Sequence, residues 1–348
     1  MDVDKVLLAS PRGFCAGVEM AIKALAWMVK VFEPPVYCYH EIVHNQVVVE
    51  RFGELGVVFV EDIAEVPPGA PVMLSAHGSP PEVVSAARET GGAVVNAVCP
   101  LVKKVHHEVK VRAARGYSIV YVGHEGHQEA IGTMAVAPGS IHLVESAAEI
   151  DAVPEPDGPV AFLAQTTLAL DEWKALLDHA QARWPDLWVP GHSDLCFATT
   201  NRQAALKAVA GRCDVVVVIG SANSSNTRAL ERTAAAAGCP RVLRVNGPDE
   251  LPGDLAGTVG VIAGASAPES LVQAVVDRLA PASGCEEVRT LEEEQYFGPP
   301  PELRELLRTV SAAAALVALA PGADPAAGGG PIEDRGTDAA QSLAALGG

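Results

Sequence analysis

The chain has 348 residues, 49% of them hydrophobic and only 5% aromatic, which is too long for one ordinary core and suits two or three domains packed mainly with Val, Ala, Leu and Ile. A net charge of −18 and a pI near 4.9 argue against a nucleic-acid partner, because phosphate backbones demand a basic surface. No apolar run approaches the roughly 18 residues of a membrane span, so no membrane partner is expected either.

The start, Met1-Asp2-Val3-Asp4, lacks the basic region of a secretory signal, and a cytoplasmic protein is expected. Short Val/Ile/Leu-rich runs then recur, each followed by polar residues. Lys5–Ala9 leads to Cys15, Val36–Tyr39 to His44 and Asn45, and Pro71–Ser75 to His77. Ala93–Val98 runs straight into Cys99, Ser118–Val122 leads to His127 and Glu129, and Val160–Ala164 leads to Thr166 and Thr167. The Trp188–Pro190 region leads to Cys196, Asp214–Ile219 to Ser224, Ser225 and Asn226, and Thr258–Ile262 to Ser266. Continuous apolar strands separated by helix-length stretches predict an α/β protein whose parallel sheets are covered on both faces. In such sheets ligands sit beyond the carboxyl ends of the strands, where these polar residues fall.

Seven cysteines are scattered at 15, 38, 99, 196, 213, 239 and 285, with no Cys-x-x-Cys pair to suggest a zinc ribbon or a thioredoxin motif. His124, Glu125 and His127 do not have the His-Glu-x-x-His spacing that puts two rings on one helical face. Cys15, Cys99 and Cys196 are 84 and then 97 residues apart, a period that suits three similar α/β units with one cysteine each at a shared centre. The expected units are 17–99, 100–195, and 1–16 with 196–308. From about Thr309 the sequence is rich in Ala, Gly and Pro, and residues 309–348 read as a low-complexity, disordered tail with one Ala-rich helical stretch at Ser311–Ala320. Cys38, Cys213, Cys239 and Cys285 read as packing residues, and His106 and His107 as surface residues of a basic helix.

Nine of these segments, in order and covering roughly residues 5–308, resemble the 4-hydroxy-3-methylbut-2-enyl diphosphate reductase family. They are Pro-Arg-Gly-Phe-Cys-Ala-Gly-Val (11–18), Glu-Ile-Val-His-Asn (41–45), Ser-Ala-His-Gly (75–78), Cys-Pro-Leu-Val (99–102) and Gly-His-Glu-Gly-His-Gln-Glu (123–129). The series continues with Gln-Thr-Thr-Leu (165–168), Cys-Phe-Ala-Thr-Thr-Asn-Arg-Gln (196–203), Gly-Ser-Ala-Asn-Ser-Ser-Asn (220–226) and Gly-Ala-Ser-Ala-Pro-Glu (264–269). The chain departs from the family pattern at Gln128, where proline is usual, and at Asn96-Ala97-Val98-Cys99, where Asp-Ala-Thr-Cys is typical. Neither departure removes a ligand or the acid.

The resemblance implies a [4Fe–4S] cluster on Cys15, Cys99 and Cys196, with one iron left open as a Lewis acid for the allylic hydroxyl. It implies reduction of the allylic diphosphate to isopentenyl and dimethylallyl diphosphate, with Glu129 as proton source, directly or through Thr166. His44, His77, His127, Ser224, Ser225, Asn226 and Ser266 are the implied diphosphate donors, a role suited to imidazole, hydroxyl and amide groups beside helix N-termini. An electron donor such as a ferredoxin or flavodoxin is a further implied partner. Such donors are acidic, so the first half of the basic stretch Lys103–Arg115, which has five Lys or Arg against the single acid Glu108, is expected to form part of the docking surface.

Overall fold

The computed structural model describes residues 1–318 and 335–346. Its strands form three sheets, and every strand pair in them is parallel. One sheet has the order β3 (Val57–Val60), β2 (Val36–Tyr39), β4 (Val72–Leu74), β5 (Val94–Asn96). The second has the order β7 (Ile141–Val144), β6 (Ser118–Val122), β8 (Val160–Ala164). The third inserts β1 (Asp2–Ser10) between β11 (Ala256–Ala263) and β12 (Cys285–Arg289), with β9 (Val215–Ile219) and then β10 (Arg241–Val245) beyond β11. The α/β class with three parallel-sheet units is thus present, and the N-terminal strand belongs to the C-terminal sheet.

The apolar runs form strands because both faces of each sheet are covered. In β9, Val215, Val217 and Ile219 enter one core with Val261 and Val275, while Val216 and Val218 enter the opposite core with Leu206 and Leu230. Side chains alternate across a strand, so a run of five buried residues feeds two cores at once. β6 repeats the pattern, with Val120 and Val122 on one side and Ile119 and Tyr121 on the other. We propose the unit boundaries 17–99, 100–195 and 1–16 with 196–308, because each sheet lies within one of these stretches.

Some expectations about the elements differ from the structure. Trp188–Pro190 makes only an isolated bridge, Trp188 to Ala161, because Trp188 lies beside the edge of a short sheet. The C-terminal region is not featureless either. Helix α11 (Pro301–Ala318) sends Leu303 and Leu307 into the core beneath the β2–β5 sheet. Helix α12 (Ala339–Ala344) joins the same core through Ala339, with Leu343 and Leu346 packed against it. An Asp338–Gln341 capping box starts α12, and the Ala339 N–H donates to Glu19 Oε2 at 2.7 Å. Apolar burial and a cap order this segment despite its composition. Residues 319–334 and 347–348 of the expected tail lie outside the described residues.

Candidate functional site

The three cysteines occupy equivalent places. Cys15 caps α1 (Ala16–Val31), Cys99 caps α4 (Pro100–Ala114) and Cys196 caps α8 (Phe197–Ala210), each one residue before a helix that follows a strand or loop. Thiolate character is favoured at a helix N-terminus, where backbone N–H groups converge. Thr199 donates its backbone N–H to Cys196 Sγ at 3.2 Å, and its hydroxyl lies 3.0 Å from the same sulfur. Gly17 explains the close approach of the first two: a Cβ there would stand 2.8 Å from Cys99 Sγ and 3.9 Å from Cys15 Sγ.

All twelve candidate residues, the three cysteines with His44, His77, His127, Glu129, Thr166, Ser224, Ser225, Asn226 and Ser266, line one cavity of about 110 Å³. His44 and His77 stack at 3.9 Å, and His127 meets His44 edge-on at 5.4 Å. His127 caps α5 (Gln128–Met134) and accepts the Glu129 N–H through Nδ1 at 3.1 Å. The proton of its neutral ring therefore sits on Nε2. Burial pushes His127 down to about 3, and burial likewise holds His77 well below the ordinary imidazole range. His44 Nε2, His77 Nδ1 and Ser225 Oγ are buried polar atoms without a hydrogen-bond partner among the described residues. Buried polar groups are rarely left unpaired, so a cluster of them in a cavity marks a place for a polar ligand. Ser224 caps α9 (Ser225–Ala236), whose N-terminus faces the same cavity.

Glu129 is 3% exposed, and burial raises its carboxyl to about 7 against the opposing pull of Thr166's hydrogen bonds. That leaves it able to carry a proton near neutral pH. Burial and the neighbouring Cys15 raise Cys99 above the ordinary thiol range and Cys196 to about 11. Thiols held neutral by burial, as those of Cys99 and Cys196 are, are suited to a cationic centre that favours their ionised form. Among the described residues no three His, Cys, Asp or Glu are close enough to share a single metal ion. Iron–sulfur clusters are held by cysteine thiolates, so three cysteines on one cavity are a donor set of that chemistry.

Several residues that complete the site were not singled out from the sequence. Glu41 accepts from Asn223 Nδ2 at 2.9 Å and stands 3.2 Å from His44 Nδ1, and the bond from His44 holds its carboxyl below the usual range. Arg202 is fully buried on α8 and donates to the Gly13 carbonyl at 2.8 and 3.1 Å and to Phe14 at 3.3 Å, bracing the loop that carries Cys15. Glu293 pairs with it at 3.1 Å. Glu41 and Arg202 lie inside the family-like motifs, so position was the available signal; Glu293 had none. Of the departures, Asn96 Oδ1 accepts the Val98 N–H at 3.1 Å, a turn an aspartate would make equally. Gln128 lies beside His77. His106 is not the surface residue expected: its ring is tucked against Gly78, and burial lowers it to about 4.

A model of the LytB protein family matches residues 6–280. The chain belongs to the LytB family. A LytB relative from Mycobacterium bovis, named 4-hydroxy-3-methylbut-2-enyl diphosphate reductase 2, is 50% identical over 282 residues, covering 79% of this chain and 85% of its own. A reductase of the same name from Rhodopirellula baltica is 48% identical over 279 residues, covering 79% and 87%. The solved E-1-hydroxy-2-methyl-but-2-enyl-4-diphosphate reductase of Plasmodium falciparum superposes with a TM-score of 0.85 at 30% identity, over 89% of this chain and 99% of that one. A second solved reductase, titled the terminal enzyme of the non-mevalonate pathway, gives 0.58 at 32% identity over 80% and 99%.

Proposed function

We propose that this LytB-family chain reduces 4-hydroxy-3-methylbut-2-enyl diphosphate to isopentenyl and dimethylallyl diphosphate, the last step of the non-mevalonate pathway. The reaction consumes two electrons and two protons and releases the allylic hydroxyl as water. The observation that carries this reading is the meeting of three cysteines at helix N-cap positions, three imidazoles and one buried carboxyl on a single cavity. Cys15, Cys99 and Cys196 would hold one [4Fe–4S] cluster. When bound, that cluster supplies electrons singly and an iron free of protein thiolate for the hydroxyl oxygen.

The protein's own groups divide the remaining work. His44, whose Nδ1 faces the Glu41 carboxylate, would turn its Nε2 to the diphosphate, while His127 presents Nε2–H from its neutral ring. Ser225 and the α9 N-terminus add hydroxyl and backbone donors. Asn226 and Ser266 fix the walls, Asn226 Oδ1 accepting from Ala265 N at 2.9 Å and Ser266 Oγ donating to the His44 carbonyl at 2.9 Å. Glu129, neutral at its raised value, holds the proton for the departing hydroxyl and passes it directly or through Thr166 Oγ. A ferredoxin or flavodoxin supplies the electrons. The compartment is the cytoplasm, in keeping with seven free cysteines, which a reducing milieu preserves. Among the described residues no helix is long and apolar enough to cross a membrane.

The test is turnover of the allylic diphosphate by anaerobically reconstituted protein with reduced viologen. Formation of both isoprenoid diphosphates supports the reading. A reconstituted cluster without turnover would overturn it.

A further inference from the structure

Resting on the reaction proposed above, a second cavity, of about 550 Å³, gains a purpose. It shares a thin wall with the central one. Val98 and Pro100 line it while Cys99 between them lines the central cavity, and the adjacent pairs Gly78 with His77 and Lys103 with Val102 divide in the same way. The segment carrying Cys99 therefore stands between the two cavities.

The cavity is also out of character for this chain. Arg88 from α3 (Pro81–Glu89), Lys103 from α4 and Arg304 from α11 line it, all three exposed, and none has an ion-pair partner among the described residues. Glu302 is the one acid among its lining residues, in a chain of 43 acids and net charge −18. Lys104, the next residue along, does not line this cavity, and its charge acts instead on the carboxyl of Asp194. We propose that this basic concavity docks an acidic one-electron carrier protein beside Cys99. At long range a strongly acidic chain repels such a partner. At physiological salt, fields are screened beyond about 8 Å, and the three cations facing the partner then decide the encounter. Charge complementarity of this kind acts mainly on encounter rate and orientation.

The experiment measures turnover of reconstituted full-length protein with a reduced acidic ferredoxin and, separately, with reduced methyl viologen. Lys103→Glu and the pair Arg88→Glu with Arg304→Glu should raise the apparent KM for ferredoxin by about tenfold at low salt and flatten its salt dependence, the scale on which steering changes encounter. Lys174→Glu, an exposed site on α7 (Leu170–Arg183), makes the same charge change elsewhere and should have little effect. Viologen-driven turnover should be unchanged in every variant. Equal effects of Lys103→Glu and Lys174→Glu would overturn the docking site, as would equal losses with both donors. Absence of viologen-driven turnover in the unsubstituted protein would instead overturn the proposed reaction, so the two failures are distinguishable.

Discussion

Glu129 and Thr166 are joined twice: Glu129 Oε1 accepts the Thr166 backbone N–H at 2.7 Å, and Oε2 accepts its hydroxyl at 3.0 Å. Both bonds favour the carboxylate and oppose the burial that lifts Glu129 to about 7. As a proton donor Glu129 must be neutral, so turnover should fall as pH rises through that value. Thr166→Val removes one bond to the charged form, which raises the carboxyl further and should move the alkaline limb of the pH–rate profile upward. Glu129→Gln should bind substrate and lose about 10²–10⁴-fold in rate. A limb that stays in place in Thr166→Val would show that another group sets it.

The same burial has a stability consequence. Glu129's folded value lies above its ordinary 4.5, so the stabilisation of its neutral form is complete below pH 4.5 and is lost as pH rises through about 7. Metal-free Glu129→Gln, which never acquires the buried charge, should show a shallower decline of Tm between pH 5 and 8 than the unsubstituted protein. Thermal melts across that range check this.

Cluster assembly should depend on three cysteines and one glycine. Alanine at Cys15, Cys99 or Cys196 should abolish the charge-transfer absorption and the iron content, and alanine at Cys38, Cys213, Cys239 or Cys285 should not. Gly17→Ala keeps every thiol yet forces a Cβ to within 2.8 Å of Cys99 Sγ. It should load iron poorly although the metal-free fold persists by circular dichroism. Full loading would mean that Cys99 can move aside.

Arg202 ties α8, which Cys196 caps, to the loop carrying Cys15, with Glu293 as its counter-charge. Removing one member of a buried ion pair typically costs about 3–5 kcal/mol. Arg202→Ala should therefore lower urea-unfolding stability on that scale, and Arg202→Lys should recover only part of it, since an ammonium cannot span the Gly13, Phe14 and Ala198 carbonyls and a carboxylate.

The C-terminal segment should contribute to stability. Asp338→Ala removes the side-chain acceptor that caps α12 and should cost about 1 kcal/mol. Deleting residues 335–348 additionally exposes the core around Ala339 and should lower Tm more. An unchanged Tm on deletion would mean that α12 adds nothing to the α1 face.

The sequence by itself determined the class and brought out many of the residues that line the central cavity, for a local reason. A strand buried on both faces must be apolar throughout, so Val215–Ile219 or Val160–Ala164 announces itself, and the residues just beyond its carboxyl end sit where the sheet binds ligands. Cys99 or Thr166 could thus be placed without knowing which sheet held it. The strands that went unread, β3, β7, β10 and β12, all lie at sheet edges. There one side is open to solvent, and Cys285–Arg289 alternates exposed with half-buried residues instead of forming an apolar run. Tertiary structure alone decided what distant segments supply to each other. Arg202 reaches Gly13 across 189 positions, Asn223 reaches Glu41 across 182, and Ala339 reaches Glu19 across 320. A polar side chain or a short alanine-rich stretch carries no periodic signal of its partner, because its worth lies in a low-dielectric contact that exists only after the three sheets have packed.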